Sequence, residues 1–213
     1  MSWGIDELMA GVGAFAAGAF WWWLWEYLLH RFAFHEMKGK GIGSREHLNH
    51  HVKASWQYDH LLGLVWFGIL LTGAGWGLLF GWATTPAAGV GFGLGWALAY
   101  YFYEFEHRAA HLKAPRNRWH AWLRKHHFHH HFGHPMENHG VTMPLWDVVF
   151  GTLSRPDTVK VPRRLAMPWL LDEDGELRPE FATDYELVGS PDHGERQEMI
   201  DKARAYANLT PLP

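Results

Sequence analysis

Cysteine is absent from the 213 residues. That removes disulfides, thiolate-held iron–sulfur clusters, Cys-based zinc fingers and thiolate haem ligation. Net charge is almost absent as well, at −3, so the chain carries no basic footprint and no nucleic-acid partner is expected. Charge of either sign is missing from most of three stretches, residues 8–29, 61–83 and 87–105. The first has none before Glu26, and the other two have none before Glu104. Each approaches the roughly 20 apolar residues needed to span a bilayer. The mean hydropathy of −0.22 hides this, because it averages an apolar half with a polar one.

Positive charge is missing in an informative way. No Lys or Arg precedes Arg31, and none lies between Lys53 and Arg108. The positive-inside rule therefore predicts an N-terminus outside and a cytoplasmic side that carries the segment between spans one and two and everything after span three. A cleaved leader is not expected, because Asp6 and Glu7 stand ahead of the first span where Lys or Arg would be needed. Spans two and three read as a hairpin turning near Thr84-Thr85-Pro86, with glycines at 73, 75, 77, 81, 89, 91, 93 and 95 that let helices approach closely.

What the chain has in excess is histidine, 17 residues, and tryptophan, 14 residues. Ten of the histidines fall in four boxes: His30-x4-His35, His47-x2-His50-His51, His107-x3-His111 and His127-x2-His130-His131. Imidazole suits iron, zinc, copper and nickel. One zinc site uses three or four ligands, so ten are too many for one metal and suit two. His30 and His35 follow span one, His47, His50 and His51 precede span two, and His107 and His111 follow span three. The fourth box lies in the C-terminal half, so all four meet at one membrane face.

Residues i, i+3 and i+4 of a helix share a face, which groups the members of each later box. His30 and His35 are five apart, so span one is expected to end between them. Ser44 reads as the N-cap of a short helix with the second box. Asn117 reads as the N-cap of a helix over residues 118–132 that Gly133 and Pro135 stop. The third box continues the helix of span three as far as Pro115. The 39–43 segment, Gly-Lys-Gly-Ile-Gly, reads as a flexible link. Residues 1–154 form the membrane-embedded unit. Residues 155–213 form a polar tail packed on the cytoplasmic cap, with one amphipathic helix over about 190–209 and no functional signal.

Candidate supporting groups are Glu26, one turn before His30, Glu104 beside the third box, and Asp147 after the fourth, since a ligating His donates its other N–H to a carboxylate or carbonyl. Glu26 and Glu104 also suit a simple headgroup-level position. Among the remaining histidines, His60 is open between roles, His120, His129 and His139 have no independent support, and His193 reads as a surface residue. Trp21, Trp22, Trp23, Trp25 and Phe20 read first as an aromatic belt and second as the lining of an acyl channel.

The segment Glu26-Tyr27-Leu28-Leu29-His30-Arg31-Phe32-Ala33-Phe34-His35 resembles the first box of the fatty acid hydroxylase/sterol desaturase superfamily, and within it the membrane fatty-acid (sphingolipid) 2-hydroxylases. The second and third boxes match in order. His126-His127-Phe128-His129-His130-His131-Phe132, followed by Trp146-Asp147-Val148-Val149-Phe150-Gly151-Thr152, resembles the last box and its signature. The likeness runs over residues 21–153. It implies an all-α integral membrane protein with about three spans and a cytoplasmic cap around a di-iron centre. The ten box histidines would be the ligands and O2 the co-substrate. It also implies a lipid acyl substrate from the bilayer and an external electron donor such as a cytochrome b5-like protein or a ferredoxin. His126 and His134 fall where the 2-hydroxylases also carry His and are further supporting candidates. One departure is Leu112, where those enzymes tend to have a second adjacent His. A fused cytochrome-b5-like domain, carried by some members, is also not seen. Desaturation and sterol or carotenoid hydroxylation are related outcomes. A zinc-binding membrane protein without redox chemistry is the alternative of another class, but a transporter would want ligands at the bilayer midplane, and spans two and three offer none. A bis-His haem protein would want histidines inside the spans, and they too are absent.

Overall fold

The computed structural model describes residues 4–58, 60–191 and 194–213. His193 and Asp59, singled out above or beside a candidate, lie outside the described residues. The chain is mostly helical. Helix α1 (Ile5–Leu28) runs directly into a wider π-helical segment (Leu29–Glu36), followed by α2 (Ile42–Lys53), α3 (His60–Ala83) and α4 (Pro86–Leu112). Then come α5 (Arg118–Phe128), continued by a π-helical turn (His129–Gly133), the short α6 (Leu145–Val149), and α7 (Glu195–Tyr206). The tail is not purely helical as expected. Strands β1 (Val159–Pro162) and β2 (Tyr185–Val188) pair in parallel, with Val159 opposite Tyr185.

Two helical stretches among the described residues are long and apolar enough to cross a membrane: Ile5–Glu36, with a mean hydropathy of 1.3, and His60–Ala83, with 1.8. The expected third span falls on α4, which is not one of them. Its glycines and tyrosines dilute its apolar content.

Those glycines divide between two partners. A Cβ at Gly91 would sit 2.1 Å from the carbonyl oxygen of Gly11, and one at Gly95 2.0 Å from that of Phe15, so this pair seats α1. Gly89 instead meets Gly77 and Gly81 of α3. The glycine pattern therefore packs α4 between α1 and α3, and not the α3–α4 hairpin alone. Trp96 lies against Gly73 and donates its indole N–H to the Ile69 carbonyl at 3.2 Å.

Two boundaries differ from expectation. Helix α1 does not end between His30 and His35. It widens, and a π-helix closes hydrogen bonds five residues apart, so residues i and i+5 face the same way. Ser44 does not cap α2. It sits inside the helix, donates to the Phe34 carbonyl at 2.6 Å and accepts from the Gly39 N–H at 2.8 Å. It pins the Gly-rich link to the end of α1. Asn117 caps as expected, its side-chain oxygen accepting from the His120 N–H at 2.9 Å, but regular α5 stops at Phe128 and finishes as a π-turn.

The tail shares a core with the helices. Ala54, Ala110, Phe128 and Phe132 cluster with Val159, Val161, Leu165, Trp169, Leu170 and Tyr185. Buried Arg124 ends α4: its guanidinium donates to the carbonyls of Lys113 at 2.8 Å and Ala109 at 3.1 Å. A cation on these last carbonyls is favoured by the helix dipole.

Candidate metal centre

All ten box histidines are buried, and they sort into two groups of five. The first is His30, His35, His47, His51 and His130. The second is His50, His107, His111, His127 and His131. Within each group the potential ligand atoms lie within 4.8 Å of one another. The boxes do not map one to one onto groups. The first box serves only the first group and the third box only the second. The second and fourth boxes are each shared, because His50 and His130 lean away from their neighbours.

The tautomers are fixed from outside. His30 Nδ1 lies 2.6 Å from the His139 carbonyl, His130 Nδ1 2.8 Å from that of Glu137, His111 Nδ1 3.0 Å from that of Ala54 and His50 Nδ1 3.2 Å from that of Ser55. A carbonyl only accepts, so these nitrogens carry the proton and Nε2 keeps a lone pair. The Nε2 atoms converge. Nε2 of His30 is 3.0 Å from that of His47, His47 2.9 Å from His35, His35 3.0 Å from His130, and His51 3.1 Å from both His47 and His130. In the second group His107 is 3.0 Å from His50 and His111 2.9 Å from His127. Among the described residues, His131 has no hydrogen-bond partner at either nitrogen.

Wherever both rings carry the Nδ1 proton, as with His35 and His130, acceptor faces acceptor inside a buried pocket, which is repulsive unless a cation lies between. Nitrogens about 2.1 Å from a common ion and at right angles to one another sit about 3.0 Å apart, which is the spacing seen. The residues fit a metal ion in each group. Burial also keeps the rings neutral, as ligation requires. It strips the charged form of water and, with the neighbouring histidines, pulls His47, His51, His127, His130 and His131 well below the ordinary imidazole value. Burial pulls His50 to about 4.

The other candidates divide. Asp147 is fully buried and accepts from the N–H groups of His139 and Gly140, both at 2.8 Å, and from the Thr152 hydroxyl at 2.8 Å. It thus holds the carbonyl that orients His30. Burial raises this carboxyl. The His126 ring, the Thr152 hydroxyl and the Gly140 N–H outweigh that and keep it below the usual range. His126 Nε2 donates to the Gly140 carbonyl at 3.1 Å and so supports the same loop. Glu26 reaches no histidine by a hydrogen bond. It takes the Thr142 N–H at 2.9 Å and hydroxyl at 2.7 Å, latching α1 to the loop after α5. Glu104 accepts from Tyr100 at 2.9 Å. His134 is exposed, and its ring accepts from the Met136 N–H at 3.3 Å, away from both groups. His60 is exposed, and His129 bonds Glu137 at 2.9 Å.

Several supporting groups were missed. His139, passed over above, is wholly buried against His30, His35 and His130, with burial taking it to about 3. The orienting carbonyls of Ala54, Ser55 and Glu137 have no side-chain signature. Ala54 is left-handed at φ 46°, which turns it and Ser55 toward the second group. Asn208, from the tail read as silent, bonds His35 Nδ1 at 3.1 Å.

A cavity of about 120 Å³ reaches both groups. His47, His50 and His107 form its inner wall, with Glu26, Glu104 and Lys53 among its polar lining. Leu29, Phe34, Val65 and Ile69 separate it from an apolar groove of about 420 Å³ between α1, α2 and α3. Trp22 is fully buried and lines the cavity, while Trp25 lines the groove.

The likeness to known proteins agrees with this arrangement. The fatty acid hydroxylase family model matches residues 15–152. The chain is 35% identical over 151 residues to dihydroceramide fatty acyl 2-hydroxylase FAH1 of Arabidopsis thaliana, covering 69% of this chain and 62% of that protein. It is 32% identical over 150 residues to fatty acid 2-hydroxylase of Homo sapiens, covering 67% and 40%. A solved structure of full-length scs7p, with only the hydroxylase domain visible, superposes with a TM-score of 0.55 at 29% identity, over 69% of this chain and 57% of that one. The match thus spans about three fifths of the plant relative and two fifths of the human one. A model matching from α1 to the residues that orient the His139 loop, with every box histidine inside it, places this chain in the fatty acid hydroxylase family.

Proposed function

We propose that the chain is an O2-dependent hydroxylase of a lipid acyl chain, with one iron ion held by each five-histidine group. The observation that carries this reading is the pair of converged, outwardly fixed histidine groups opening onto a cavity that adjoins an apolar groove. Bound iron would supply the O2 chemistry needed at an unactivated C–H bond, which side-chain acid–base groups cannot. The chain's own residues hold the ions, keep the imidazoles neutral, exclude bulk water and place the substrate. Two electrons per turnover come from an external donor protein.

The geometry suits a carbon near a polar head. The groove takes the acyl tail from the bilayer, and the polar lining of the cavity takes the head, so the first carbons of the acyl chain lie at His47, His50 and His107. The 2-hydroxylase names of the relatives fit this placing. In the membrane we take α4 as a third span, the N-terminus as outside, and the histidine groups with residues 155–213 as the cytoplasmic cap on a 1–154 catalytic unit.

The test is metal content and optical spectrum of protein purified anaerobically from iron-supplied cells, followed by turnover of an acyl lipid with 18O2 and a reductant. Two irons per chain, no haem band and one 18O in a hydroxylated product are expected. Zinc-loaded protein that stays inert after iron reconstitution would overturn the redox reading, and an alkene product would replace hydroxylation by desaturation.

A further inference from the structure

The tail beyond residue 152, outside the family match, hydrogen-bonds the first histidine group through the side chain of Asn208. Asn208 follows α7 and stands at φ 56°, left-handed backbone that Asn tolerates better than most residues. Its side-chain oxygen lies 3.1 Å from His35 Nδ1, and its amide nitrogen donates to the His35 carbonyl at 3.2 Å. The second bond settles which end of the amide is which. With nitrogen at the carbonyl, oxygen must face Nδ1, so Nδ1 carries the proton and Nε2 is free toward the group.

The same job is done for His30, His50, His111 and His130 by backbone carbonyls inside the matched region. His35 alone among these five takes its acceptor from a side chain, and from the far end of the chain. The segment around Asn208 is held firmly. Arg164 pairs with Asp201 of α7 at 2.7 Å, both side chains buried, and also donates to the Leu212 carbonyl at 2.9 Å. Arg204 Nε donates to the Thr210 carbonyl at 2.5 Å, and the Tyr206 hydroxyl to Asn49 of α2 at 3.1 Å. Asp201, Ala205 and Leu209 close over His51 and His131 around a cavity of about 10 Å³, room for about one water.

We infer that Asn208 is a positioning residue of the first metal site: it fixes the His35 tautomer and ring plane, and the C-terminal tail is thereby part of the metal centre. This rests on the reading that the histidine groups hold metal ions. Removing an outer hydrogen-bond partner of a metal-bound His typically lowers affinity 10- to 100-fold.

The experiment measures iron per chain and chelator-competition affinity in full-length protein with Asn208→Ala, Asn208→Asp or Tyr206→Phe. Asn208→Ala should weaken one of two ions 10- to 100-fold and the other by a smaller factor. Asn208→Asp, which keeps an oxygen for Nδ1–H but loses the N–H that meets the His35 carbonyl, should recover only part of the affinity that Asn208→Ala loses. Tyr206→Phe, which loosens the tail without touching a histidine, should bind as wild type. Equal loss in Asn208→Asp or in Tyr206→Phe would make Asn208 a mere anchor and overturn the inference. So would an unchanged chelator-competition affinity in Asn208→Ala beside loaded wild type, and that result would leave the metal reading standing. Wild type that takes up no metal would overturn both.

Discussion

At the residue scale the site depends on where protons sit. An imidazole whose Nδ1–H is held by a carbonyl offers Nε2 inward, and its neighbours decide its value as a ligand. His131→Ala removes one inward nitrogen, and the expected result is loss of the second group's ion with membrane insertion intact, read by metal analysis of the membrane fraction. Asp147→Ala leaves the N–H groups of His139 and Gly140 buried without an acceptor. At about 1–3 kcal/mol each, several kcal/mol of stability should go, and the first group's affinity should fall, because the carbonyl that orients His30 is no longer held. Thermal unfolding and chelator competition check both. Ala54 is a quieter case. Its left-handed backbone costs about 1 kcal/mol in an L-residue, so Ala54→Gly should be tolerated with metal retained. Ala54→Val, β-branched where φ is 46°, should lose the second group's ion.

At the element scale, close backbone approach sets the frame. A side chain at Gly95 would need the space of the Phe15 carbonyl, so Gly95→Leu should part α1 from α4 and abolish folded, metal-bound protein, seen as loss of a monodisperse peak in detergent. The boxes, the cap at Asn117 and the turn at 84–86 were legible in the sequence, because each rests on side-chain type at short spacing. Among the features that were not, three decide the site. The i, i+5 pair of the first box reads as a break because a regular helix cannot present it, whereas a π-helix can. The division of α4's glycines needed the third dimension. The orienting carbonyls and Asn208 gave no signal, since a backbone acceptor is the same at every residue and Asn208 lies 173 residues from the histidine it serves.

For the whole molecule, acidity is the general probe. Burial holds His50 near 4 and His139 near 3, while both return to about 6.5 when unfolded. Below pH 6.5 the unfolded chain therefore takes up protons that the native chain refuses, so native stability is full above 6.5 and declines as pH falls toward the folded values. Each such ring should cost about 1.4 kcal/mol for each pH unit below 6.5. Metal-free protein should melt lower at pH 5.5 than at 7.5. Loaded protein should melt higher than metal-free at neutral pH and lose that margin on acidification, as protons compete for the ligands.

The shared boxes have a last consequence. Helix α2 gives His47 and His51 to one group and His50 to the other, and the end of α5 gives His130 to one and His127 and His131 to the other. An ion entering either group must order the same two segments that the other requires. Having borne that loss of freedom once, the chain binds the next ion at a smaller entropic penalty. Loading should be sigmoidal, with chains empty or doubly filled and singly filled chains scarce throughout the titration.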